Sequence, residues 1–136
     1  MWKRAREIVR IFALPFLLLI IHLIMDFYGV YIKFEWLDLP MHLLGGALVS
    51  YSYYRLLKTM QKYEYIGVIH NILLFIFVVS FVALIAIFWE LYEFLLDSID
   101  LGTRQTHIRD TMIDLSLDLV GGIFGYFCSK FLYTIK

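Results

Sequence analysis

Residues 72–89 read ILLFIFVVSFVALIAIFW, an apolar run without a single charged side chain. A helix needs about 20 apolar residues to cross the ~30 Å hydrocarbon core of a bilayer, so this run predicts a membrane span, which we place at about Ile66 to Leu96. The bilayer core offers no water to unpaired backbone groups, and the alternating pattern of a barrel strand is absent. The span is therefore predicted to be an α-helix.

Three further apolar runs predict the rest of the fold. They extend from about Ile8 to Val30, from Leu39 to Leu57 and from Thr111 to Thr134. The connections between the four runs are short, which makes successive helices antiparallel neighbours. The predicted fold class is therefore all-α, an antiparallel bundle of four transmembrane helices.

Length and composition indicate one domain that lies in lipid. The chain has 136 residues, of which 62% are hydrophobic. A soluble protein of this size lacks the interior volume to bury so much apolar surface. We therefore expect a single transmembrane domain over residues 1–136, with the lipid bilayer as a partner and no nucleic acid among its partners.

The charged residues are divided between the two sides of the predicted bundle. Nine of the twelve Lys and Arg residues lie on the side that carries both termini, whereas ten of the twelve Asp and Glu residues lie toward the other side. Cytoplasmic segments carry the excess of Lys and Arg in membrane proteins. Both termini are therefore predicted to be cytoplasmic, in a multi-pass protein of the cell membrane.

Acidic and histidine side chains recur at helical spacing near the outer ends of the spans. Residues three or four apart lie on one face of a helix. Four antiparallel helices would therefore direct these side chains toward one cavity that is open to the outside. The residues are Asp110, Asp114 and Asp118 on span four, Glu90 and Glu93 on span three, Asp38 and His42 on span two, and His22 and Asp26 on span one.

The carboxylates of span four require a partner. Asp114 and Asp118 fall inside the predicted outer boundary, where an ionised carboxylate costs roughly 3 kcal/mol on insertion scales and must be paired, protonated or metal-bound. No Lys or Arg lies at that depth along the span, and Arg109 lies more than one turn above Asp114. Crowded carboxylates disfavour one another's ionisation unless a cation neutralises them. A bound divalent cation, or a set of shared protons, is therefore predicted.

The side chains that could hold such a cation combine carboxylates with an imidazole. Carboxylate oxygens suit Mg²⁺ and Mn²⁺, and Zn²⁺ becomes a candidate if a histidine is a ligand. Secondary polar positions are expected at His22, Asp26 and Asp38. The predicted metal ligands are His42, Asp110, Asp114 and Asp118.

One functional hypothesis is a metal-dependent enzyme at the outer leaflet. No serine, cysteine or histidine dyad offers a nucleophile, so the ion would activate water or polarise a phosphoryl or acyl oxygen of a lipid-linked substrate. Glu90 or Glu93 would serve as the general base. Arg109 would bind an anionic head group of the substrate.

Two other functions stay open at this point. Glu90 and Glu93 can be ordinary residues of an interfacial aromatic belt beside Trp89, and His22 can hydrogen-bond across helices. The chain would then be a non-catalytic membrane module that a polar network holds together. A cation or proton transporter is the third hypothesis, and because four helices are few for a monomeric carrier it would require a homo-oligomer.

Three segments carry a resemblance to a known family. DLPMHLLGG at 38–46, WELYE at 89–93 and DTMIDLSLDLVG at 110–121 resemble, in order and spacing, the YjdF-type (DUF2238) family of small prokaryotic membrane proteins and, more distantly, the VanZ-like family. VanZ-like chains tend to have Asn where this chain has Asp118, and the additional carboxylate favours cation binding. The resemblance implies a polytopic membrane protein of uncharacterised function with the motif residues His42, Glu90, Glu93, Asp110, Asp114 and Asp118.

Overall fold

The structure is a computed structural model that describes residues 2–99 and 108–134. Within these ranges the chain is helical and contains no β-strand, which confirms the all-α class. A single 3₁₀ turn at Glu35–Leu37 separates the second and third helices. The helices are α1 (Trp2–Phe27), α2 (Val30–Lys33), α3 (Asp38–Lys62), α4 (Asn71–Ser98) and α5 (Ile108–Thr134).

Three of the described helices are long and apolar enough to cross a membrane. These candidate spans are Arg6–Phe27, Asn71–Ser98 and Ile108–Tyr133. The predicted second span lies in α3, whose 25 residues make it long enough for a bilayer at ~1.5 Å per residue. However, α3 does not reach the same apolar content, so composition supports three spans among the described helices instead of four.

The first helix ends earlier than predicted. We expect span one to extend to about Val30, but α1 stops at Phe27. Gly29 adopts a left-handed backbone conformation with φ of 63°, which glycine accepts without the strain that a Cβ would cause. The chain leaves the helical axis at this glycine and turns back through α2, which buries Tyr31 against the bundle.

The boundaries of α3 and α4 also differ from the prediction. The third helix continues beyond Leu57 to Lys62, because the residues that follow Leu57 are ordinary helix formers with no Gly or Pro among them. The fourth helix begins at Asn71 instead of Ile66. Its N-cap is His70, whose Nδ1 accepts a hydrogen bond from the backbone N–H of Ile72 at 3.4 Å.

The contact between α3 and α5 is the most extensive one between described helices. Glycines allow this close approach, as small residues commonly do between helices in bilayers. A Cβ at Gly46 would overlap the backbone carbonyl of Asp118, and a Cβ at Gly121 would overlap that of Leu43. The third and fifth helices therefore pack with their backbones nearly in contact.

One face of α4 is buried along almost its whole length. The buried residues recur every four positions, which places them in one stripe against α3 and α5. The outward faces of α1, α4 and α5 expose many large apolar side chains, as lipid-facing helices do. The buried stripe ends in a carboxylate and consists of Leu74, Val78, Val82, Ala86 and Glu90.

An apolar core closes the end of the bundle opposite to most of its acidic residues. It forms where the end of α3 meets the start of α4 and the end of α5. The connection between α4 and α5, with Asp100, Arg104 and His107, lies outside the described residues. The buried members of the core are Tyr54, Leu57, Leu74, Val78 and Tyr126.

Replacement of Gly46 tests the close approach of α3 and α5. The Cβ of Gly46→Ala would meet the backbone of Asp118, which cannot rotate away as a side chain can. Overpacking typically costs roughly 1–3 kcal/mol, which outweighs the gain of about 1 kcal/mol in helix propensity when the overlap is with backbone. We expect a lower midpoint of thermal unfolding in detergent.

Gly67→Ala is the matched control for this measurement. No atom lies within 4 Å of a Cβ built at Gly67, and its backbone does not have the left-handed conformation. We expect its midpoint to equal that of the parent chain. Equal midpoints for Gly46→Ala and Gly67→Ala would contradict the packing described for α3 and α5.

Candidate functional site

The acidic end of the bundle is built around His42. This end comprises the start of α3, the end of α4 and the start of α5, which the helix packing brings together. His42 lies on the second turn of α3 and is only 5% exposed. Carboxylates surround it from three helices, namely Asp38 on α3, Glu90 and Glu93 on α4, and Asp114 and Asp118 on α5.

A hydrogen bond across the α3–α5 contact orients the imidazole ring. His42 Nδ1 lies 3.0 Å from Asp118 Oδ2, and both side chains are buried. An ionised Asp118 can only accept, in which case Nδ1 carries the proton and donates it. In the neutral ring this leaves the lone pair on Nε2. Metal-binding histidines are characteristically held in this way, with the remote nitrogen donating to a carboxylate.

The other ring nitrogen faces two more carboxylates. His42 Nε2 lies 3.8 Å from Asp38 Oδ2 and 4.0 Å from Asp114 Oδ1. Both separations are too long for a hydrogen bond. Each separation is the one expected between two ligands that lie at a wide angle on one metal ion, with metal–ligand bonds of ~2.0–2.2 Å. Asp38, His42 and Asp114 form a group that could hold a metal ion, with the three donor atoms all within 4.8 Å of one another.

Two glutamates of α4 form a second such group with the same histidine. His42, Glu90 and Glu93 also have donor atoms within 4.8 Å of one another. Glu90 and Glu93 are only 5% and 4% exposed, so they are not residues of an exposed interfacial belt. Both groups include His42, and we call their members together the His42 cluster: Asp38, His42, Glu90, Glu93 and Asp114.

The carboxylate of Asp114 is a buried member of the His42 cluster. Its side chain belongs to a residue that is 3% exposed, and its Oδ1 makes no hydrogen bond among the described residues. Burying a carboxylate oxygen without a donor or a cation is costly. Asp114 Oδ1 lies 4.0 Å from His42 Nε2, so an ion bound to this nitrogen would lie next to the Asp114 oxygen.

The other predicted residues of α5 lie outside the two groups of donor atoms. Asp110, predicted as a metal ligand, is half-buried in the first turn of α5 and belongs to neither group of donor atoms. Arg109, predicted to bind substrate, is exposed beside it. Asp118, also predicted as a ligand, lies 3.0 Å from His42 Nδ1 through its Oδ2 and belongs to neither group of donor atoms. Asp114 alone among the α5 carboxylates belongs to a group of donor atoms.

The polar pair of span one, His22 and Asp26, belongs to neither group of donor atoms. His22 is buried, and its Nδ1 lies 2.9 Å from the hydroxyl of Tyr31. Its ring also packs edge-on against Trp89, with ring centres 4.7 Å apart. Asp26 is half-buried and belongs to neither group of donor atoms. The sequence does not predict a contact for Tyr31. Span one is predicted to continue to about Val30, so the turn at Gly29 that brings Tyr31 back toward His22 is not expected.

Removal of the Asp118 carboxylate tests its role in holding the imidazole. Asp118→Ala would leave His42 Nδ1 buried without an acceptor, which costs about 1–3 kcal/mol and should lower the unfolding midpoint in detergent. Asp118→Asn keeps an oxygen acceptor and should lose less. The control is Ser116→Ala on the same helix, whose exposed hydroxyl donates only to the Met112 carbonyl, at 2.6 Å. A midpoint for Asp118→Ala equal to that of the control would contradict this role.

The chain matches a described protein family over nearly its entire length. Residues 3–133 match the family described as "Predicted membrane protein (DUF2238)", and this range includes α1, which carries none of the resembling motifs. No curated protein and no solved structure matches the chain. The resemblance to VanZ-like proteins stays a prediction. The match confirms the predicted family, and the chain belongs to the DUF2238 family of predicted membrane proteins.

Proposed function

We propose that this chain binds a divalent cation in the His42 cluster and uses it to act on the polar head group of a lipid-linked substrate. The observation that carries the proposal is the environment of His42. Asp118 occupies one ring nitrogen, while the other faces the carboxylates of Asp38 and Asp114. A neutral imidazole leaves the negative charge of these buried carboxylates uncompensated, so a metal cation or protons must join them.

The donor atoms favour particular ions. One imidazole with several carboxylates suits Mn²⁺ and Zn²⁺ better than Mg²⁺, which takes oxygen ligands almost exclusively. Structural zinc sites use four ligands, whereas each of the two groups around His42 offers three donor atoms, one from each residue. An ion held by one group would leave at least one carboxylate of the other group outside its coordination shell.

A carboxylate outside the coordination shell supplies the acid–base chemistry in this proposal. The cation lowers the pKa of a bound water or polarises a phosphoryl or acyl oxygen. Glu90 or Glu93, whichever does not bind the ion, accepts the proton of the water. Arg109 lies exposed at the start of α5, where it can contact an anionic head group. The reaction class is metal-assisted hydrolysis or transfer.

The proposal includes a fourth span, formed by α3. This helix packs against α1, α4 and α5, so its neighbours cover most of its surface. A helix enclosed by other helices needs less apolar surface than one that faces lipid. Buried polar side chains along α3 find partners inside the bundle, as when Ser52 Oγ donates to the Ile11 carbonyl at 2.7 Å. The excess of Lys and Arg near both termini orients the bundle with its termini in the cytoplasm.

Reporter fusions test the fourth span and the orientation. If α3 crosses the membrane, fusions after residue 62 and after residue 136 should both report the cytoplasm, and a fusion between residues 101 and 105 should report the outside. If α3 does not cross, residue 62 stays on the same side as the end of α1. An external signal after residue 62 would therefore remove α3 from the set of spans and place the His42 cluster elsewhere.

Chelation tests the bound cation. An ion that binds only the folded chain stabilises it by about 2.7 kcal/mol at a hundredfold excess over its Kd. Chelator should lower the unfolding midpoint in detergent, and Mn²⁺ or Zn²⁺ should restore it. Asp114→Asn, which removes a ligand at nearly constant volume, should abolish the response to metal. Asp118→Asn should weaken metal binding by roughly 10–100-fold, as loss of a carboxylate behind a metal-bound histidine does.

The control for this experiment is Glu35→Gln. Glu35 is exposed in the 3₁₀ turn that precedes α3, so the change removes the same kind of charge outside the His42 cluster. Its response to chelator and metal should equal that of the parent chain. If chelator has no effect and Asp114→Asn raises the midpoint, the carboxylates share protons in a hydrogen-bond network. The chain would then be the non-catalytic membrane module.

A further inference from the structure

An apolar cavity of about 370 Å³ adjoins the His42 cluster. This volume lies within the ~300–1,000 Å³ range of small-molecule pockets. The cavity lies between α1, α3 and α4, and Asp118 of α5 contributes to its lining. Most of its walls are hydrocarbon, from residues that include Pro15, Leu19, Val49, Ile85 and Ala86.

The chemical character of the lining changes from one end of the cavity to the other. His42 and Asp118 line the end at the His42 cluster, and Gly45 beside them has no side chain to separate Asp118 from the cavity. A Cβ at Gly45 would stand 3.7 Å from Asp118 Oδ1. At the far end Ser52 is the only polar lining group among the described residues, and its hydroxyl already donates to the Ile11 carbonyl. The cavity is therefore amphiphilic, with one polar end.

The length of the cavity corresponds to one leaflet. Its lining on α3 extends from His42 to Ser52, which is about 15 Å of helix at ~1.5 Å per residue. This is half of the ~30 Å hydrocarbon core of a bilayer. The helices run along the cavity, so an extended hydrocarbon chain inside it would lie parallel to the lipid tails of the surrounding leaflet.

The cavity is open toward the lipid between α1 and α4. Among the described residues, α1 and α4 make their close backbone contacts with α3 and with other neighbours. They make few such contacts with each other. Phe16 on α1 and Ile85 on α4 both line the cavity and are 61% and 39% exposed, so this wall is incomplete. At the polar end of the cavity, His22 contacts Trp89 and Tyr31, and these three side chains close that end. Access is therefore lateral.

We propose that the cavity binds one hydrocarbon chain of an anionic, phosphate-bearing amphiphile that enters from the bilayer between α1 and α4. The chain fills the apolar part, and its head group reaches the His42 cluster, where a bound cation neutralises it. The position of the head group rests on the proposed function, because carboxylates without a cation would repel a phosphate. Binding of the hydrocarbon chain rests only on the shape and the apolar lining of the cavity.

Photo-labelling in lipid nanodiscs tests this proposal. The probe is hexadecyl phosphate with a diazirine on its chain, added with Mn²⁺ to the full-length chain in phosphatidylcholine nanodiscs, and labelled peptides are mapped by mass spectrometry. Label should concentrate on cavity residues of α1 and α4, such as Pro15, Leu19 and Ile85. Inorganic phosphate should not displace the probe, because it lacks the chain; displacement would assign the cluster to free phosphate and overturn the proposal.

Cavity-filling variants provide the decisive comparison. Ala86→Phe and Val49→Phe place a ring in the cavity from two different walls, and each should reduce labelling of the cavity residues to the level without irradiation. The control is Ala13→Phe, at an exposed position of α1 outside the lining, which should keep full labelling. Each variant is first checked for a retained unfolding midpoint. Undiminished labelling in both folded filling variants, or label spread evenly over lipid-facing residues, would overturn the proposal.

Two further arms separate this proposal from the proposed function. A diazirine hexadecanol probe has the same chain with an uncharged head, and it should label the cavity less than the phosphate probe does. Equal labelling by both probes would overturn the assignment of an anionic head group. Labelling by the phosphate probe that exceeds that of the alcohol even in chelator would support the amphiphile and remove the cation from the proposed function.

Discussion

The hydrogen bond between His42 Nδ1 and Asp118 Oδ2, 3.0 Å long, is the interaction on which the arrangement of the acidic end depends. It joins α3 to α5 at the level where Gly46 lets the two backbones meet, so the geometry of the bond and the packing of the helices determine each other. A hydrogen bond to a charged group contributes about 1.5–3 kcal/mol. It also fixes the ring so that Nε2 lies near Asp38 and Asp114.

The carboxylates around the buried imidazole of His42 carry negative charge that apolar packing cannot compensate. The members of the His42 cluster other than Asp38 are at most 5% exposed, and taking ionised groups out of water costs several kcal/mol each unless opposite charge accompanies them. A cation and a set of shared protons are the two ways to provide that charge. A cation would also couple the site to the fold, because binding then draws α3, α4 and α5 together.

The sequence predicts the helices and the level of the polar residues, because hydropathy and helical spacing are local properties. The sequence cannot show which of several polar residues on one helix face reaches the site. Asp110 and Asp118 are both in step with Asp114, yet each four-residue step rotates by ~40° and rises ~6 Å, so Asp110 belongs to neither group of donor atoms while Asp118 lies against His42 Nδ1. The inclusion of Asp38 among the donor atoms and the return of Tyr31 onto His22 depend on the turn at Gly29 and on contacts between helices, which no local pattern encodes.

The proposed chemistry on a lipid accounts for the two ends of the bundle more simply than the transport of an ion does. A carrier needs a continuous polar path to the other side; below the His42 cluster the described helices pack an apolar core around Leu74, Val78 and Tyr126, with isolated buried hydroxyls such as Ser50 and Ser129 in the same half. At the acidic end, by contrast, the site has two kinds of neighbour: a cavity open to lipid between α1 and α4, and the exposed, polar start of α5 at Arg109. Lipid and water can therefore approach the same carboxylates from different directions. A metal-assisted reaction at a lipid head group requires that meeting, whereas conduction of an ion does not.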